Sequence, residues 1–404
     1  MLKRSFRFRL VDLLAVGFAL AFIVPLCVLG IHFARHWSRQ RQCQETLRHA
    51  GVPFWMHAEN DPGGYLCSGA TDIATDGSID TYGWVADLQS HLDGLPLIDP
   101  ANPAVGLSTL NDILAGDATT WSNNGLPERY SDQPLINLMS RTKPMSTERA
   151  QWVAEHVISE GINTNYCASW LLTRQGIKLV TQPPNFSQSV ADPAYQNFQG
   201  LPSTTGPLKM SVIDRSRISS RTMPLLGCGA PEVGNQGRLM MDIGPLTASS
   251  QQRERLGNHL PAGTALSRTV NRGPAFWHSV QGTMLFIKGG DILDTQMDGE
   301  RGYGTTENCP PPIGPKANHT YLQDTRGWKA VHGTQINILM ADGSIRVFDD
   351  LNGDGFLNPG FPVPNSTNST LGTDYSDDTV ELHPSGMFNG LFVEEIFFNA
   401  SFGG

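Results

Sequence analysis

From Leu10 to Ile31 the chain runs through 22 mostly apolar residues, LVDLLAVGFALAFIVPLCVLGI. A helix needs about 20 such residues to cross the hydrocarbon of a bilayer, so the pattern predicts one membrane span. A secretory signal has a shorter apolar region, roughly 7 to 15 residues, ending in a small-residue cleavage site that is missing here. Beyond the span Phe33, Trp37, Cys43, Leu47, Ala50 and Phe54 recur at helical intervals, with Gln40 as the one missed position. They form a stripe opposite Arg35, Arg39, Arg41 and Arg48, so one helix is expected to leave the membrane and offer a face to a folded body. Gly51 and Pro53 are expected to end it.

Weaker patterns follow. Trp84, Val85, Leu88 and Leu92 suit a short helix ending near Asp93-Gly94, while Asp76 to Asp80 has the residues to hold a cation but reads first as a plain turn. Ser146 to Gly161 reads as a capped helix with Trp152, Val153, His156 and Val157 on one face, which makes His156 a hydrogen-bonded core residue. NYCASWLLTR, from Asn165, is a strand or a short helix, and FWHSVQGTMLFIK, from Phe276, has a strand-like end. Residues 182–263 are rich in Pro, Ser and Gly and read as loops and short strands inserted in the scaffold. The clearest local pattern is INILMADGSIRVF, residues 336–348: a hairpin turning at Asp342-Gly343, with Met340 opposite Ile345 and Ile338 opposite Val347.

Composition sharpens the division at the end of the helix. Eight of the 29 Lys and Arg but two of the 38 Asp and Glu lie within residues 1–48, leaving the remainder at a net −15. An acidic body argues against nucleic acid as a partner. The 42 glycines and 27 prolines favour turns and strands over long helices. The chain therefore divides into residues 1–58, span and amphipathic extension, and residues 59–404, a β-rich body. Of the six cysteines, Cys27, Cys43, Cys67, Cys167, Cys228 and Cys309, none forms C-x-x-C, so no zinc or thioredoxin-like motif is indicated. Cys43 lies on the apolar stripe and reads as buried packing.

Directly after the hairpin, DLNGDGFLNPGF has the spacing of a calcium loop. Asp350, Asn352 and Asp354 alternate, Gly355 allows the sharp turn, Phe356 offers a carbonyl, and Asn358 stands at the ninth position. Phe361 occupies the twelfth position, where a bidentate glutamate completes such a shell. Asp349, Asp374, Asp377 or Asp378 can substitute for it. The expected cofactor is a weakly held, structural Ca2+. No G-x-S-x-G, H-E-x-x-H, Walker A or Rossmann pattern occurs in a fitting context, so no catalytic residue is assigned.

Several stretches carry a family likeness. FRLVDLLAV resembles the FTLVELLVV start of type IV pilins and type II secretion pseudopilins. RQRQCQETLRHAG resembles RRSQCKNNLKQIG, and INILMADGSIRVF resembles NVLFADGSVRF, both from a pilin-like family abundant in planctomycete bacteria and labelled domain of unknown function 1559. The resemblance covers the first ~60 and last ~75 residues. It implies an α+β fold in which a long N-terminal transmembrane helix serves as a spine for an antiparallel β-rich, pilin-like ectodomain with long loops. It also implies a non-catalytic structural protein of the bacterial inner membrane, its N-terminus cytoplasmic and its body periplasmic or extracellular. Other pilin-like subunits or secretion-system proteins are the implied partners. In such proteins the residue matching Phe8 starts the mature chain and the one matching Asp12 pairs with a neighbouring amino terminus. Arg7 stands where the processing glycine belongs, so the N-terminus is expected to remain uncut. The alternative is a membrane-tethered periplasmic glycan-binding module or hydrolase.

Overall fold

The computed structural model describes residues 10–92, 97–116, 134–182, 187–191, 204–232, 234–246, 256–301, 320–364 and 375–393. Its first element is a single helix, α1 (Leu10–Asn60), 51 residues long, or about 75 Å at 1.5 Å per residue. Two different surfaces share this rod. Phe18, Leu20, Phe22, Val24, Leu26 and Ile31 are each more than half exposed. Cys43, Leu47, Ala50, Phe54 and Ala58 are buried in the main core. The predicted stripe therefore begins to bury at Cys43, and Phe33 and Trp37, 63% and 61% exposed, stand clear of the body. Burying Leu47 and Phe54 completely stabilises the arrangement by about 1.5–3 kcal/mol each.

Gly51 and Pro53 do not end the helix, which continues for seven residues past Pro53. Proline removes one intrahelical bond, and the burial of Phe54 and Ala58 beyond it offsets that loss. Gly51 serves contact instead of termination. A Cβ there would sit 3.4 Å from Leu339 Cδ1, so the missing side chain lets helix and sheet approach closely.

The sheet that α1 covers has four antiparallel strands: β1 (Tyr166–Ala168), β2 (Pro224–Cys228), β3 (Gln335–Met340) and β4 (Ile345–Asp349), in the spatial order β4-β3-β2-β1. The helix lies on the face of Asn337 and Leu339. Gln40 Nε2 donates to Gln335 Oε1 at 2.8 Å, and Gln44 Nε2 donates to Asn337 Oδ1 at 3.1 Å. On the side of Ile338 its cross-strand partner is Gly227, and the ring of Trp328 lies close over that glycine while its Nε1 donates to the Cys167 carbonyl at 2.8 Å.

Two expectations are corrected here. The stretch read as loops and short strands inserted in the scaffold does hold a short strand, but that strand, β2, is no insertion: it is an inner strand of the main sheet with all five residues buried. PLLGC is covered on both faces and so lacks the alternation that marks a half-buried strand. The hairpin is present, but its register differs by one. Ile345 pairs with Leu339 and Arg346 with Ile338, because the loop has three residues. The Gly343 N–H donates to the Met340 carbonyl, and Gly343 at φ 80° forms the bulge that a three-residue turn requires. The slip sends Phe348 to the face of Ile336 and places Val347 beside Asn337.

Short helices surround this centre. Trp84–Leu92 forms α2, as the apolar spacing predicts, and packs against α1. Next come α3 (Thr109–Ala115), α4 (Pro134–Arg141) and α5 (Thr147–Val153). Ser146 caps α5 by accepting from the Arg149 N–H, and the helix continues into a π-turn, Ala154–Ile158. The wider turn rotates the buried face to Arg149, Ala150, Val153, Ala154, Val157 and Ile158. His156 is consequently exposed, its ring 5.1 Å from that of Trp152, and is not the core residue expected from the spacing. Asn165 onward supplies both alternatives in turn, β1 and then α6 (Trp170–Arg174). Asp76, expected in a plain turn, is fully buried and paired with Arg174. Two further hairpins, Leu179–Gln182 with Ser187–Val190 and Ala275–His278 with Thr283–Phe286, lie outside the main sheet. Together these elements make a mixed α+β fold with a long apolar N-terminal helix and antiparallel sheets.

Candidate functional site

Where α1 enters the body, four chemically reactive side chains meet. Cys43 comes from the first buried turn of α1, Cys228 from the last residue of β2, and His332 from the turn before β3. Asp99 comes from the loop after α2, held by an N–H bond to Asn165 Oδ1 at 2.7 Å and by its own Oδ1 accepting from the Ala101 N–H at 2.9 Å. That leaves Asp99 Oδ2 aimed at the cluster. Among the described residues this is the group of three or more His, Cys, Asp or Glu whose donor atoms all lie within 4.8 Å of one another. Cys43 Sγ is 3.6 Å from Cys228 Sγ, which is 3.6 Å from His332 Nε2, which is 3.0 Å from Asp99 Oδ2. All four residues are between 0% and 1% exposed.

The electrostatics follow from this packing. Burial pushes the Cys43 thiol up, but bonds from Cys228 and His332 outweigh it and hold the group below its usual range. Burial pushes the Cys228 thiol well up, and the neighbouring Cys43 adds to the shift. Burial works against a charged imidazole at His332, but Asp99 and Cys43 raise its pKa to about 9. His332 Nε2 and Asp99 Oδ2 face each other as an ion pair at 3.0 Å, while Asp99 Oδ2 and His332 Nδ1 are both buried without a hydrogen-bond partner. An orphaned buried polar atom costs about 1–3 kcal/mol.

The calcium-like loop lies elsewhere, beyond β4. Asp350 accepts from the amides of Gly353 and Gly355 at 2.7 and 2.8 Å, Asn352 Oδ1 accepts from Asp354 N, and Asp354 Oδ1 accepts from Phe356 N. Asn358 Oδ1 accepts from Gly360 and Phe361 N. Phe361 is buried in a second, smaller core and its ring lies 5.8 Å from Tyr375. The carboxylate beneath the loop is Glu381, which accepts from the amides of Leu351 and Asn358. Of the substitutes proposed from sequence, Asp374 lies outside the described residues and Asp377 accepts from Asn352 Nδ2; Glu381 was not among them.

Phe8 lies outside the described residues, as does Cys309, and Asp12 falls in the first turns of α1. Cys43, Cys67, Cys167 and Cys228 are buried free thiols. Sequence reasoning assigned Cys43 to packing and passed over Asp99, Cys228 and His332. A cleft on another side of the body is lined by Ile177, Leu179, Val180, Leu391 and Phe392, with Lys178 as the charged residue in its wall. The chain matches no protein-family model, no curated protein and no solved structure.

Proposed function

We propose that this chain is a non-catalytic, membrane-anchored structural protein of pilin-like type. Its helix spans the bacterial inner membrane with the amino terminus in the cytoplasm, and its body is exported and contacts other pilin-like subunits or secretion-system proteins. The observation that carries this reading is the division of α1. One half is a bare apolar rod, long enough to cross a bilayer and with none of its most apolar 18-residue window buried, while the other half is core. Exposing that much apolar surface to water is unfavourable, and lipid removes the cost. The Asn337 and Leu339 face covered by a helix agrees with a spine-on-sheet arrangement.

Cell fractionation tests the proposal. The intact chain should stay in the membrane pellet through an alkaline carbonate wash, with a mass that includes residues 1–31. Recovery in the soluble fraction, or a mature chain lacking the apolar segment, would refute it. A mature chain starting at methylated Phe8 would keep the anchor and overturn only the expectation that Arg7 blocks processing.

Weak structural calcium at Asp350, Asn352, Asp354, Phe356 and Asn358 belongs to the same reading, supported by the closed amide pattern around Asp350 and by Glu381 beneath it. Millimolar calcium added to chelator-treated protein should raise the unfolding temperature, since a ligand bound only by the folded state stabilises it. An unchanged melting curve would remove the loop from consideration.

A further inference from the structure

We infer that Cys43, Asp99, Cys228 and His332 bind one Zn2+ ion in a closed tetrahedral site that fastens α1 to the sheet. Bonds of about 2.3 Å to sulfur and about 2.0 Å to nitrogen and oxygen give tetrahedral edges of about 3.8 Å between sulfurs, about 3.5 Å from sulfur to nitrogen and about 3.3 Å from nitrogen to oxygen. The corresponding distances here are 3.6, 3.6 and 3.0 Å. Two thiolates, an imidazole and one carboxylate suit zinc, whereas calcium and magnesium select oxygen. An ion at the centre also supplies the partner that Asp99 Oδ2 lacks. A Cys43–Cys228 disulfide would draw the sulfurs to about 2.0 Å, use two of the four groups and leave that carboxylate oxygen unsatisfied.

On binding, the cysteines enter as thiolates and His332 as a neutral imidazole, so the protons that the thiols and the imidazolium carry pass to solvent, and the carboxylate enters ionised. All four side chains are closed off from solvent, so the site has no open position for substrate, and its role is structural. The four ligands come from helix, loop, strand end and turn. The ion therefore joins the neck of the anchor helix to both inner strands of the sheet. This inference is independent of the membrane reading.

The test uses the full chain in detergent, reduced and stripped with a chelator, then titrated with zinc alone or cobalt alone. The expected result is one zinc per chain, and a cobalt form with intense visible bands of tetrahedral geometry and a thiolate charge-transfer band. Asp99→Asn, which keeps volume and both thiols, should weaken zinc binding by at least ~10- to 100-fold, the loss that an outer-shell change alone causes. Cys43→Ser should abolish the charge-transfer contribution of one thiolate. Wild-type protein that takes up no zinc, or gives a weakly absorbing octahedral cobalt spectrum, would overturn the assignment without reference to any variant. So would protein alkylated at lysis and found with Cys43 and Cys228 joined as a disulfide.

Discussion

Replacing Arg149 with Met is expected to destabilise the folded body by about 3–5 kcal/mol, read as a lower denaturation midpoint by tryptophan fluorescence of the full chain in detergent. Arg149 is 1% exposed, and its guanidinium is spent on helix ends. Nη1 donates to the carbonyls of Ile113, Leu114 and Gly116 at 3.0, 3.3 and 2.6 Å, closing the C-terminus of α3. Nη2 donates to the carbonyls of Met139 and Thr142 at 3.1 and 3.0 Å, closing that of α4. Each helix end carries partial negative charge, so one cation satisfies two dipoles as well as five carbonyls. Methionine fills the space but strands acceptors that each cost about 1–3 kcal/mol when buried and unpaired. Arg149→Lys restores charge without the planar fork and should recover part of the loss. A midpoint within error of wild type for Met would show that water reaches these carbonyls and that the residue is not a keystone.

Asp76→Ala should cost about 3–5 kcal/mol for a different reason: it leaves a buried cation without its counter-charge. Arg174 Nη2 lies 2.9 Å from both oxygens of Asp76, and Asp76 also accepts from the Ala70 N–H. The pair ties the one-turn helix Ile73–Asp76 to α6. Attraction between two buried charges roughly cancels their desolvation, so the pair adds little net stability while the loss of one member costs a great deal. The discriminating comparison is the double variant Asp76→Leu, Arg174→Met. It should be more stable than Asp76→Ala, and a double variant as unstable as the single one would mean that the Ala70 contact, not the charge, was decisive.

Why some of this was readable from sequence and some was not has physical causes. Helix α2 was legible because Trp84, Val85, Leu88 and Leu92 mark one face and Gly83 precedes it. The hairpin was legible in place but not in register, because Asp-Gly serves both two- and three-residue turns; a two-residue turn of that type needs positive φ at both residues, and here Gly343 has it and Asp342 does not. Strand β2 was hidden because a strand buried on both faces has no period to detect. The His156 assignment failed through a π-turn that no side-chain pattern announces. The cluster at the neck was the least legible feature. Its members stand at positions 43, 99, 228 and 332, and long-range folding alone brings them together, so no spacing rule applies. The one local cue was Cys43 on a buried stripe, which packing explains equally well.

Because Leu47, Phe54 and Ala58 are interior residues of the body, the boundary between the bare apolar segment and the body does not coincide with the end of the helix. Scission near Phe33 to Arg39 would shed an intact particle, whereas scission after Asn60 would remove the particle's own central pillar. Tension transmitted along the rod would likewise arrive at β3 directly, through Gln40, Gln44 and Gly51, with no slack linker to absorb it.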